Sequence, residues 1–221
     1  MTRVEFDRQL AEIQEDMLVM SGMVETAIRR GIEALKDRDV ELARQIITDD
    51  LAINRKRYET EDRCMEIIAT QQPLAGDLRT LFSVLHITVD LERMGDHAEG
   101  IAKIALLLAD QPPLKPYIDV PRMAEICIEM LRGSVEAFRD RDTDRAREIV
   151  NRDDEVDALY DQVYRELLTF MINDPKTIER ATYLIWVAHN LERIADRVTN
   201  ICERVVYLVE GTIEDLNVSK Y

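Results

Sequence analysis

The chain has 221 residues, of which 33% are charged and 5% aromatic, with only seven glycines and six prolines. This composition argues against a β-rich fold and favours long amphipathic helices. The formal net charge of −15 disfavours nucleic acid and anionic lipid as direct partners, and it favours cations or basic protein surfaces.

Cysteine usage and hydropathy indicate the setting of the protein. Cys64, Cys127 and Cys202 are odd in number and far apart, which fits a reducing cytoplasm and predicts neither a disulfide framework nor a thiolate metal site. No apolar run reaches the roughly 18 residues that a membrane span needs. We therefore expect no direct membrane insertion, and membrane association only through a partner.

The first half of the chain, residues 1–110, is predicted to form a three-helix bundle. Its helices are expected over residues 4–36, 40–70 and 75–109. Asp39 is a suitable N-cap for the second helix, and Pro73 separates the second helix from the third.

The second half repeats this plan after a proline-rich linker at residues 111–120. Its helices are expected over residues 121–138, 143–172 and 177–209, with Gly211 as the final stop and a tail at 212–221. Residues 34–50 align without gaps with residues 137–153, with about half of the positions identical. The predicted fold is all-α, with two antiparallel three-helix bundles, at 1–110 and 121–211, related by internal duplication.

One motif occurs in the third helix of each half. Leu91-Glu-Arg-Met-Gly-Asp96 is repeated one hundred positions later as Leu191-Glu-Arg-Ile-Ala-Asp196. In each copy the glutamate and the aspartate are four residues apart, so they share one helix face. That face lies opposite the apolar seam, and we expect these acids to point outward into solvent.

A second acidic element lies in the second helix of each half. Asp50 and Asn54 in the first half correspond to Asp153 and Asp157 in the second half. If the second and third helices pack antiparallel, these side chains lie level with the Glu-x-x-x-Asp pairs. Each bundle would then present four oxygen-bearing side chains across a groove between two helices.

Clustered carboxylates repel one another, and a hard cation with oxygen ligands relieves this repulsion. The ligand types favour magnesium, manganese, calcium or iron over a closed tetrahedral zinc site. A solvated surface is the alternative interpretation, with Arg93 and Arg193 forming ordinary ion pairs. The duplication of both elements in register favours cation binding.

The third helix of the first half also carries apolar residues outside its core seam. Leu78, Leu81, Leu85 and Val89 share the face of Glu92. An outward apolar stripe needs a cover, which the second bundle, a second subunit or a partner protein could supply.

These motifs resemble those of the PhoU family of phosphate-uptake regulators. The resemblance covers nearly the whole chain and rests on the duplicated Leu-Glu-Arg motif, on Gln72-Pro73 to Asp77-Leu78-Arg79, on Asp153 to Asp157 and on Asn200 to Glu203. It implies two three-helix bundles that carry multinuclear clusters of iron or zinc. The implied metal ligands are Asp50, Asn54, Glu92, Asp96, Asp153, Asp157, Glu192, Asp196 and Asn200. Ala195 departs from the glycine usual in the family, and its methyl group could narrow the second site.

The resemblance also implies a non-enzymatic role. The family represses the phosphate-starvation response through a sensor histidine kinase and the ATPase subunit of the phosphate ABC transporter. We expect a cytoplasmic homodimer that is held at the inner membrane by these partners. One alternative is a di-iron carboxylate enzyme, although such sites lie inside a bundle and use Glu-x-x-His pairs. Another alternative is a structural dimerisation module.

Overall fold

The computed structural model describes residues 3–216, and all regular secondary structure in this range is helical. The helices are α1 (Arg3–Asp37), α2 (Val40–Gln71), α3 (Ala75–Leu108), α4 (Asp119–Asp140), α5 (Thr143–Val150), α6 (Asp153–Asn173) and α7 (Ile178–Glu210), and a 3-10 turn covers Pro175–Thr177. The all-α prediction is confirmed. The end of the predicted tail, residues 217–221, lies outside the described residues.

Helix boundaries follow local capping chemistry. The Asp39 carboxylate accepts a hydrogen bond from the Leu42 backbone N–H (2.9 Å), and Asp142 does the same for Arg145 (3.0 Å) in the repeated turn. Gly211 ends α7 with a φ of 78°, a left-handed conformation that glycine adopts without strain. The caps expected at Asp39 and Gly211 are therefore confirmed.

The fifth predicted helix is divided in the structure. A turn at Asn151 and Arg152 separates α5 from α6, whereas α2 runs unbroken through the equivalent positions. Asp153, Asp154 and Glu155 form the first turn of α6, where negative charge is stabilised by the helix dipole. The prediction of one helix over residues 143–172 was wrong because this acidic run favours a new helix start.

The two bundles pack against each other mainly through α3 of the first and α7 of the second. α1, α2 and α3 form the first bundle, and α4 packs with α5, α6 and α7 in the second. α3 contacts α7 along much of its length, and one continuous hydrophobic core includes residues of both bundles. α3 is therefore enclosed by α1, α2 and α7.

This enclosure covers part of the apolar stripe that was expected to point outward. Leu81 is fully buried and Leu85 is partly buried, whereas Leu78 is exposed. The chain itself therefore supplies much of the cover, because α3 has neighbouring helices on three sides.

The linker between the bundles is held by polar contacts. The Lys115 ammonium group pairs with Asp119 (3.4 Å) and with Glu166 of α6, and Arg180 donates to the Pro112 carbonyl (3.0 Å). These contacts tie the irregular segment to the second bundle. Within residues 3–216, no helix combines the length and the apolar character that crossing a membrane requires.

Candidate functional site

The antiparallel packing of α2 and α3 assembles an acidic cluster in the first bundle. The first cluster consists of Asp50 and Asn54 from α2 and of Glu92, Asp96 and Glu99 from α3. At Gly95 the two helices approach closely, since a Cβ atom placed there would lie 3.2 Å from Asp50 Oδ1. The level arrangement expected from the sequence is present. Glu99, one turn beyond Asp96, is an additional member that its helical spacing could have indicated.

The first cluster is more buried than the sequence suggested. Glu92 is 7% exposed and Asp50 is 9% exposed, whereas the side chain of Asp96 is 40% exposed. The expectation that the acids of the motif point outward into solvent was wrong for Glu92, and Asp50 beside it is also buried. Helical phase places Glu92 opposite the main seam of α3, but α2 packs on that side and covers it.

Arginines neutralise part of this buried charge. Glu92 Oε1 lies 3.2 Å from Arg57 Nη1, and Glu92 Oε2 lies 3.5 Å from Arg93 Nε. Arg93 also pairs with Asp96 at 3.2 Å. Sequence reasoning anticipated ion pairs of Arg93 but missed Arg57, which lies one turn beyond Asn54 on the same face of α2.

Asp50 retains the least compensated charge of the first cluster. Its Oδ2 accepts a hydrogen bond from Asn54 Nδ2 (2.7 Å), whereas its buried Oδ1 has no hydrogen-bond donor. Burial, reinforced by the nearby charges of Glu99 and Asp96, raises the pKa of Asp50 to about 6. An external cation near Oδ1 would relieve this cost.

A second cluster forms at the equivalent place between α6 and α7. The second cluster consists of Asp153, Asp157, Glu192 and Asp196. Glu192 and Asp196 are half-buried, so the expectation that they point into solvent is only partly right. Asp153 is buried and Asp157 is half-buried. Burial and then the charge of Asp196 raise the pKa of Glu192 to about 7, and the same two causes raise the pKa of Asp157.

The two clusters differ in the positively charged side chains that lie beside their acids. The alignment of the two halves places Tyr160 of α6 at the position of Arg57. Burial, and after it the nearby charge of Glu192, raises the pKa of Tyr160. This neutral phenol therefore lies beside the second cluster. In the second cluster, Arg193 pairs with Asp196 (2.8 Å) and His189 Nδ1 lies 3.2 Å from Glu192 Oε2.

Asn200 lies one turn beyond Asp196 and lines the same pocket, but its amide is also engaged with the first bundle. Its Nδ2 donates to Asp90 Oδ1 of α3 (3.1 Å), and Arg197 Nη1 lies 3.3 Å from the same oxygen. Asn200 therefore joins the two bundles, because the face of α7 next to the acid pair packs on α3. Asp90 was missed, although an aspartate between Val89 and Leu91 in an apolar run is a sign of a buried polar contact.

The side-chain oxygen atoms of both clusters are ligands of the type that a hard cation binds. Carboxylate oxygens are the ligands that such cations prefer, and the buried atoms Asp50 Oδ1 and Glu192 Oε2 accept no hydrogen bond. No group of three or more His, Cys, Asp or Glu side chains within residues 3–216 is already arranged as a ligand set. Cation binding at these positions would require Glu92, Asp96 and Asp196 to turn away from their arginine partners.

Comparison with known proteins gives matches along nearly the whole chain. The PhoU domain family matches residues 17–105 and 120–205, which are the two repeated halves. The "Phosphate-specific transport system accessory protein PhoU homolog" of Aquifex aeolicus is 45% identical over 93% of both chains. The homolog of the same name from Clostridium acetobutylicum is 38% identical over 98% of this chain and all of its own length.

Two crystal structures share the fold. PhoU from Pseudomonas aeruginosa has a TM-score of 0.89 and 36% identity, with 94% of this chain and all of the other covered. The phosphate transport system regulatory protein PhoU from Streptococcus pneumoniae has a TM-score of 0.88 and 32% identity, with 95% and 99% covered. The repeated pair of helical bundles is therefore common to these proteins and this chain.

Proposed function

The chain belongs to the PhoU family, and we propose that it is a non-enzymatic adaptor that regulates phosphate transport. The observation that carries the proposal is the match along nearly the full length to relatives named as accessory or regulatory proteins of phosphate transport systems. In this role the protein represses phosphate uptake and the phosphate-starvation response when phosphate is plentiful.

The proposed partners are the ATPase subunit of the phosphate ABC transporter and the phosphate-sensing histidine kinase. We place the protein in the cytoplasm, as a homodimer that reaches the inner membrane through these partners. Its net charge of −15 supports association with basic protein surfaces, since opposite charges steer encounter and orient the complex. Sedimentation at micromolar concentration tests the dimer, which a monomeric mass would contradict.

We further propose that the two acidic clusters hold divalent or trivalent metal ions, with iron, zinc, manganese and magnesium as the candidates. Asp50, Asn54, Glu92 and Asp96 would hold the cation of the first cluster, and Asp153, Asp157, Glu192 and Asp196 that of the second. A bound cation would supply positive charge that offsets the mutual repulsion of these acids. The raised pKa values of Asp50 and Glu192 support this proposal.

Affinity purification from phosphate-replete cells tests the adaptor role. We expect wild-type protein to retain the transporter ATPase and the kinase, and a variant with Glu92, Asp96, Glu192 and Asp196 changed to alanine to retain less of both. A control variant replaces four exposed acids outside the clusters, Glu41, Glu66, Glu148 and Glu179, and should behave as wild type. If wild-type protein retains neither partner, the adaptor proposal fails.

Elemental analysis tests the metal proposal separately. Protein purified without chelators should contain at least one transition-metal ion per chain, and the four-alanine variant should lose it. A metal-free wild-type protein that also fails to bind added Mn²⁺ would exclude the metal sites without affecting the adaptor role. Normal phosphate regulation by a folded four-alanine variant would instead favour a structural module.

A further inference from the structure

A cavity of about 420 Å³ opens between α1, α2 and α3 beside the first cluster. Pockets that bind small organic molecules have volumes of roughly 300 to 1,000 Å³. Most of the side chains that line this cavity are apolar, namely Val19, Met23, Ala27, Ile46, Ala52 and Ile53. The cavity therefore has the size and the walls of a site for a small molecule with an apolar body.

One carboxylate gives this cavity a polar end. Asp50 lines it and is more than nine-tenths buried, and its Oδ1 accepts no hydrogen bond. The other charged groups of the lining have partners, since Arg30 pairs with Asp49 (2.7 Å) and Glu99 pairs with Lys103 (2.6 Å). The charge left for a ligand to neutralise is thus the negative charge of Asp50.

The second bundle shows which residues keep the cavity open. In the aligned halves, Gly133 of α4 corresponds to Arg30, and Met130 corresponds to Ala27. α4 and α5 are so close at Gly133 that an added Cβ would lie 2.9 Å from Ile149 Cδ1, and Met130 is fully buried. In the first bundle, the long Arg30 side chain and the small Ala27 leave space at the corresponding place.

We propose that this cavity binds a small organic cation, in which one ammonium or guanidinium group is attached to an apolar body. The cationic group pairs with the Asp50 carboxylate, whose buried Oδ1 rotates toward the cavity to accept a hydrogen bond, and the apolar body packs against α1 and α2. Both parts contribute, because a neutral molecule leaves the buried carboxylate without a donor and a metal ion held by the first cluster leaves the apolar walls uncovered. The organic cation and a metal ion therefore compete for Asp50. An anion is repelled by Asp50.

Calorimetric titration with a matched pair of ligands tests the proposal. Cyclohexylmethylammonium should bind, and cyclohexylmethanol, which has the same shape without the charge, should bind about tenfold more weakly or not at all. Ala27→Met introduces into the cavity the methionine that the second bundle has at the corresponding position, Met130, and should abolish binding. Ala11→Met, at an exposed position of the same helix, is the control and should leave binding unchanged.

A charge variant completes the test. Asp50→Asn keeps the size of the side chain and should weaken cation binding about tenfold, to the level of the alcohol. Helical circular dichroism and cooperative unfolding establish that each variant is folded. Equal binding of amine and alcohol, binding retained in Ala27→Met, or binding of Mn²⁺ but not of the organic cation would each overturn the proposal. None of these outcomes bears on the adaptor role.

Discussion

Asn200 of α7 donates a hydrogen bond to Asp90 of α3, and this contact joins the two bundles at their interface (3.1 Å). Arg197 approaches the same carboxylate oxygen at 3.3 Å. Asp90 is largely buried, so its charge depends on these two donors from the other bundle. The pair identifies Asn200 as a residue of the interface between bundles.

The Asn200→Ala variant distinguishes this role from metal ligation. Loss of one donor to a buried carboxylate should lower the free energy of unfolding by about 1 to 2 kcal/mol, and Mn²⁺ affinity should not change. Urea unfolding and Mn²⁺ titration measure the two effects. Asn54→Ala is the matched comparison, because Asn54 belongs to the first cluster and its loss should alter Mn²⁺ binding. Weaker Mn²⁺ binding by Asn200→Ala would return Asn200 to the list of ligands.

The Arg57 and Glu92 pair should be strongly coupled energetically. Arg57→Met leaves the buried Glu92 carboxylate without its guanidinium at 3.2 Å, and should destabilise the fold by about 3 kcal/mol. Glu92→Gln in the same chain removes the charge and should restore about half of this loss. A double-mutant cycle from urea unfolding measures the coupling. Additive effects of the two changes would show that Arg93 alone compensates Glu92.

The stability of chelator-treated protein should fall as the pH rises toward neutrality because of Glu192. The pKa of Glu192 in the folded protein is about 7, above its ordinary value of 4.5, so the folded state holds this proton more tightly than the unfolded state. This favourable contribution is complete below about pH 4 and is lost as the pH rises through 7.

Glu192→Gln removes this dependence. At pH 8 the variant should be more stable than metal-free wild type by about 2 kcal/mol, and at pH 4 the two should be alike. Denaturant unfolding at both pH values measures the difference. The control is Glu148→Gln, an exposed site that should show no such change. Equal stability of Glu192→Gln and wild type at pH 8 would indicate that His189 and Arg193 already neutralise Glu192.

Tyr160→Arg should weaken cation binding at the second cluster. The substitution places a guanidinium beside Glu192, as Arg57 lies beside Glu92, and this internal cation competes with Mn²⁺. The expected loss in Mn²⁺ affinity is about tenfold, measured from the spin-resonance signal of free Mn²⁺. Tyr164→Arg, one turn further along α6 at an exposed position, is the control for net charge. An equal effect of both substitutions would exclude a local competition.

Several features of the fold followed from local sequence alone. Apolar residues repeated at steps of three and four predicted the bounds of α1, α2, α3, α4 and α7 to within a few residues. This was possible because helix periodicity and capping depend on near neighbours in the chain. The break between α5 and α6 was missed, because the same pattern continues through Asn151. The gapless alignment of the two halves predicted the repeat of the bundles.

The sequence by itself also determined that acidic side chains of the second and third helices meet in each bundle, since antiparallel packing and spacing of four residues leave little freedom. Only the tertiary structure decided which of these acids are buried and which cations lie beside them. Glu92 is covered because α2 packs on its face, and Asn200 is drawn to Asp90 because α7 packs on α3. These outcomes depend on contacts between residues far apart in the chain, which the periodicity of a single helix does not specify.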